Sequence, residues 1–163
     1  MGYEPTTAEL VHLDRCVALA AEALEAGDEP FGTVLVSASG DVLFEDRNRT
    51  ADGDQTRHPE FEVARWSAGN LTPEERAAAT VFTSGEHCPM CSAAHGWVGL
   101  GRIVYVHSSA QLGAWRAELG IEPGPVTPFP IQEVVPGIRV DGPVASLEAA
   151  MRDLHTRAAT MRR

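Results

Sequence analysis

The chain has 163 residues, 13 of them basic and 23 acidic, for a formal charge of −10 with histidine neutral. That length suits one domain over residues 1–163, able to bury roughly 68–70% of its unfolded surface without a disulfide or metal staple. Every basic residue is arginine, and a strongly acidic chain with no basic run argues against nucleic acid or an anionic membrane as the main partner. No apolar run approaches the roughly 20 residues of a membrane span, and no charged-then-apolar leader opens the chain, so a cytoplasmic protein is expected.

Leu10, Leu13, Val17, Ala20, Ala21 and Leu24 recur at three- and four-residue spacing and predict an amphipathic first helix. Thr6 or Thr7 suits its cap and Gly27 its stop, with Cys16 at the edge of the buried stripe. Residues 32–38 and 41–46 read as a β-hairpin turning at Ser39-Gly40-Asp41, and a polar loop follows to Arg57. A second helix is expected from Pro59 to Gly69, and a third strand over 80–84. Met90 to Val98 reads as a short helix, then come a strand at 102–107 and a helix near 109–119. The proline-rich stretch Glu122 to Pro130 reads as a stiff connection, with a lid as the alternative, and Gln132–Val135 is a strand candidate. The last helix covers about 145–161, where Arg152, Arg157, Arg162 and Arg163 suggest a solvated face. Trp66, Trp97 and Trp115 read as core or interface residues. Strands alternating with helices from residue 58 onward predict a largely parallel sheet covered on both faces.

Three cysteines, Cys16, Cys88 and Cys91, form no disulfide framework, and the C-x-x-C pair points to metal or redox chemistry. His58-Pro59-Glu60 precedes it by 27 residues, and both motifs fall at expected helix N-termini, where the helix dipole favours thiolate. Two thiolates and one imidazole make a three-ligand zinc site that leaves a place for water, whose pKa then falls to ~7. In the first helical turn Glu60 can reach the same point as His58. There it could carry a proton from water to a ring nitrogen and then to a departing amine. His58-x-Glu60 followed by Cys88-x-x-Cys91 is the zinc deaminase signature.

Together with Glu29-Pro30-Phe31-Gly32-Thr33-Val34-Leu35-Val36, Asn48 and Glu86-His87-Cys88-Pro89-Met90-Cys91, this order resembles the cytidine deaminase-like superfamily, over about residues 8–110. The resemblance is strongest to the guanine, cytosine and tRNA adenosine deaminase branch and leaves 111–163 as a C-terminal part. It implies a three-layer α/β/α fold with a five-stranded mixed sheet of order 2-1-3-4-5, strands four and five parallel. It makes His58, Cys88 and Cys91 the Zn2+ ligands, Glu60 the acid/base, Asn48 a hydrogen-bonding contact to the substrate ring and Phe31 a wall of the base pocket. It also implies a homodimer acting on a small-molecule nucleobase or nucleoside. Three departures touch the same pocket. Pro59 stands where the family has alanine and cannot donate a backbone N–H to the substrate. His87 stands where the family has proline, adding a titratable group beside the metal. Guanine deaminases carry a carboxylate just after the fourth strand, whereas this chain reads His107-Ser108-Ser109-Ala110-Gln111, which counts against guanine.

Two other functions compete. A tRNA adenosine deaminase would share the motifs but is opposed by the charge. A structural-zinc interaction module would need a fourth ligand, for which His87 and His95 are the candidates.

Overall fold

The computed structural model describes residues 2–161. Helix α1 (Thr7–Glu25) begins in a reciprocal cap: the Thr6 hydroxyl accepts from the Glu9 amide, and the Glu9 carboxylate accepts from the Thr6 amide. It buries Leu13, Cys16, Leu19, Ala20, Ala23 and Leu24, so Cys16 lies in the middle of the stripe rather than at its edge. Strand β1 (Gly32–Val36) runs so close beneath it that a Cβ at Gly32 would stand 2.4 Å from the Cys16 carbonyl oxygen. Gly32 is therefore a packing requirement of the Pro30-Phe31-Gly32 segment.

Strand β1 is buried at all five positions and pairs antiparallel with β2 (Val42–Arg47) on one side and β3 (Thr80–Gly85) on the other. Beyond β3, strands β4 (Ile103–His107) and β5 (Val140–Asp141) are added parallel, giving the order β2-β1-β3-β4-β5. This is the mixed five-stranded sheet the resemblance implied, with strands four and five parallel. Alternation along the strands divides the core. Val34, Val36, Phe82, Val104 and Val106 meet α1 and α7 (Ala145–Met161), while Leu35, Val81 and Ile103 meet α2 (Pro59–Asn70), α4 (Pro89–Val98) and α6 (Ile131–Val134). The described residues also form α3 (Pro73–Ala78), a short capped turn the pattern did not announce, α5 (Ser109–Glu118) and a single 3-10 turn at Thr50–Asp52. At the far edge, Arg102 reaches from the start of β4 to Glu9, Asp141 and the Tyr3 hydroxyl, tying the N-terminal segment to α1 and β5.

The strand expected at Gln132–Val135 is instead the single-turn helix α6. The cause is a side chain distant in sequence. Glu86 Oε1 accepts from the Ile131 amide at 3.0 Å, and Oε2 from the Ser109 amide at 2.8 Å. One carboxylate thus satisfies orphan donors at the starts of both α5 and α6, and the last strand is deferred to Val140. Trp115 is buried and Trp66 stacks on Phe44, but Trp97 is 90% exposed and belongs to no core. No helix among the described residues is long and apolar enough to cross a membrane. Arg152 and Arg157 are exposed on α7, as expected of a solvated face, and Arg162 and Arg163 lie outside the described residues.

Candidate active site

Helices α2 and α4 point their N-termini at one place. His58 is the N-cap of α2 and Cys88 the N-cap of α4, each followed by a proline at the first helical position, where a missing N–H leaves nothing unsatisfied. The Sγ atoms of Cys88 and Cys91 each lie 3.6 Å from His58 Nδ1, and the three donor atoms fall within 4.8 Å of one another. Tetrahedral zinc, with Zn–S near 2.3 Å and Zn–N near 2.0–2.1 Å, separates sulfur from nitrogen by about 3.6 Å, so the donor set fits that ion. The electrostatics agree. Hydrogen bonding with Cys91 and with His58 brings the Cys88 thiol down to about 4, while the contact with Cys88 and burial push Cys91 well up. The bond to Cys88 raises His58.

No fourth donor joins this group among the described residues. His95 is held at the other end of α4, its Nε2 donating to the Gly101 carbonyl at 2.7 Å. His87 turns into the interior and packs edge-on against His95, ring centroids 5.3 Å apart, with 1% of its surface exposed. Burial holds His87 well below the usual imidazole range and His95 at about 4, so both stay neutral. Among the described residues the group therefore has three donors, one short of a closed four-ligand cluster.

Glu60 stands on the first turn of α2 and is 5% exposed. Its Oε1 accepts from the hydroxyls of Thr83 at 2.9 Å and Thr33 at 3.3 Å, which the antiparallel register places opposite each other on β3 and β1. Its Oε2 lies 3.9 Å from Cys91 Sγ. One oxygen is therefore pinned to the sheet and the other faces the donor group. Burial raises the Glu60 pKa above the usual carboxylate range. Sequence reasoning missed both threonines, because threonine in a strand carries no signal until the register is known.

Asn48 follows β2 and is 2% exposed. Its amide donates to the Phe31 carbonyl at 3.0 Å, and its Oδ1 accepts from the Thr50 amide and hydroxyl, an Asx turn that leaves the side-chain nitrogen without a partner among the described residues. Phe31 packs against two histidines the motifs did not include, His155 from α7 with ring centroids 5.2 Å apart and His107 from the end of β4 at 6.2 Å. The two histidines bring their Nε2 atoms within 3.3 Å. Gly85 makes room for this layer, since a Cβ there would stand 2.7 Å from His107 Cε1 and 3.1 Å from the Phe31 ring. Pro59 is buried at the start of α2.

Burial lowers His107 to about 4, against roughly 6.5 for an unfolded histidine. The unfolded chain thus takes up a proton below about pH 6.5 that the folded one refuses. The stabilisation is complete above that pH and erodes as pH falls toward 4, by about 1.4 kcal/mol per pH unit. Replacing His107 with leucine is expected to flatten the acid limb by that slope in urea titrations between pH 6 and 4.5. An unchanged slope would mean that His107 protonates within the fold.

Residues 7–107 match the family model described as the cytidine and deoxycytidylate deaminase zinc-binding region. A probable cytosine deaminase of Schizosaccharomyces pombe is 32% identical over 106 residues, covering 64% of this chain and 63% of that protein. The guanine deaminase of Bacillus subtilis is 35% identical over 86 residues, covering 52% and 55%. The chain therefore spans less than two thirds of the length of these curated relatives. Among solved structures, a guanine deaminase from Nitrosomonas europaea superposes with a TM-score of 0.72 at 19% identity, over 97% of this chain and 87% of that one, which speaks to the fold.

Proposed function

Because the chain belongs to the cytidine and deoxycytidylate deaminase zinc-binding family, we propose that it hydrolyses the exocyclic amino group from a free nucleobase, a nucleoside or a related amino-heterocycle. Water and the C–NH2 group give C=O and ammonia. The observation that carries this reading is the pairing of an open three-donor group with a buried carboxylate that has one oxygen pinned and the other 3.9 Å from a donor sulfur. His58, Cys88 and Cys91 would hold zinc, which when bound supplies Lewis-acid activation of water at neutral pH. Glu60 accepts the proton of the attacking water and delivers it to the ring nitrogen beside the reacting carbon. It then takes the proton of the hydroxyl now on that carbon and passes it to the amine, so that the C–N bond breaks, the carbonyl forms and ammonia leaves. Asn48 and Phe31 orient the ring, Asn48 through its side-chain nitrogen and Phe31 through its face. Pro59 offers no N–H at the helix start, so orientation falls on the other contacts.

The test is ammonia release from zinc-loaded protein offered cytosine, adenine, guanine, their nucleosides and related amino-heterocycles. Turnover of at least one is expected. No release from any of them at full zinc occupancy would overturn the reading. The net charge of −10 counts against tRNA as the substrate, and a salt-sensitive gel shift with tRNA would bring that alternative back.

A further inference from the structure

The loop from Asn48 to His58 joins the candidate substrate contact to a candidate metal ligand, yet exposed residues make up most of it. What holds its first half is Asp28, just beyond the glycine that ends α1. Asp28 is 6% exposed, and its two oxygens bracket Asn48. Oδ2 accepts from Arg47 Nη1 at 2.8 Å, on the residue before Asn48, and Oδ1 accepts from the Ala51 amide at 2.7 Å, three residues after it. The same Arg47 nitrogen donates to the Asn48 carbonyl at 3.0 Å. The Asn48 amide is bonded in turn to the Phe31 carbonyl, so residues 28–31 and 47–51 are stitched at both ends. Asp28 is itself fixed, its amide donating to the Ala23 carbonyl at the end of α1.

The geometry points to Asp28 as a positioning residue that sets the placement of Asn48, and with it Phe31, against the substrate ring. This rests on the deaminase reading above. Asp28 touches no reacting atom. It works because a buried carboxylate with two charge-assisted or short hydrogen bonds fixes a loop that has almost no apolar anchorage of its own. Metal binding lies outside its reach, since His58 is held by α2 and the cysteines by α4.

The experiment uses Asp28→Ala, Asp28→Asn, Asn48→Ala and the double variant Asp28→Ala/Asn48→Ala in the zinc-loaded full chain. Asp28→Ala is expected to lower kcat/KM by roughly 10- to 100-fold, mostly through KM, the scale on which a small misplacement of a substrate contact acts. Zinc content should stay near wild type and circular dichroism native, while the thermal midpoint falls because the Arg47 guanidinium and the Ala51 amide lose their shared acceptor. Asp28→Asn keeps an acceptor for the Ala51 amide and should recover part of the loss. In the double variant the losses should not multiply, because Asn48 is the residue through which Asp28 acts. Multiplying losses, or an Asp28→Ala variant with wild-type KM, would overturn the proposal. Hydrogen exchange tests the clasp without any substrate: amides 49–57 should exchange faster in Asp28→Ala while those of 80–85 do not. Equal exchange overturns it. If the wild-type chain deaminates nothing, the deaminase reading falls, and exchange still decides whether Asp28 holds the loop.

Discussion

Glu60→Gln is expected to lower turnover by roughly 10²–10⁴-fold, the usual worth of one positioned acid/base, while the protein stays folded and keeps its zinc. Glutamine preserves the shape and one carbonyl oxygen, so the hydroxyls of Thr33 and Thr83 keep an acceptor in place of Oε1. What it removes is the capacity to bind and release a proton at Oε2, the oxygen that faces the donor group. Because Glu60 is almost wholly buried and its charged form is already disfavoured by desolvation, a neutral amide is tolerated there. Alanine would be a poorer probe, since it would empty a buried site beside the Thr33 and Thr83 hydroxyls and confuse lost chemistry with lost packing. The measurements are steady-state ammonia release and metal content on the same preparation. Full activity in Glu60→Gln would take this residue out of the reaction.

The parts of this site that were legible before any coordinates are those written locally. His58-x-Glu60 and Cys88-x-x-Cys91 each occupy a single helix start, and the prolines after His58 and Cys88 mark those starts in the sequence itself. A threonine cap at residue 6 or 7, which the structure resolves to Thr6, the hairpin and the alternation that builds the parallel half of the sheet were readable for the same reason. Features set by distant partners were not. Thr33 meets Thr83 only through the β1–β3 register, and His155 reaches His107 and Phe31 only because α7 folds back across the sheet. The mistaken strand at Gln132–Val135 has the same origin, because its β-prone residues are overruled by the Glu86 carboxylate, 45 positions away from Ile131. Asp28 reads in sequence as a turn residue, and only the return of Arg47 and Ala51 to its two oxygens shows its purpose.

Cys88→Ala and Cys91→Ala are expected to weaken zinc binding by more than the roughly 10- to 100-fold that follows loss of an outer hydrogen-bond partner, because each removes a direct ligand. Cys16→Ser is the control. Cys16 is fully buried with Leu13, Leu19 and Ala20 on the inward face of α1, and its thiol is pushed well up by burial, so it belongs to packing and should leave metal content unchanged. Metal analysis after dialysis against a chelator separates the three. The same variants decide between an active site and a structural one. The two apolar layers, built on Val34, Phe82 and Val104 on one face and on Leu35, Val81 and Ile103 on the other, close without drawing on the three donors. Loss of zinc should therefore abolish ammonia release while far-ultraviolet circular dichroism keeps its native shape. The thermal midpoint should drop only by the linkage that any tightly bound ligand contributes. Unfolding on chelation would reverse the assignment, because a metal that the fold needs is one whose coordination is spent on structure and not on water.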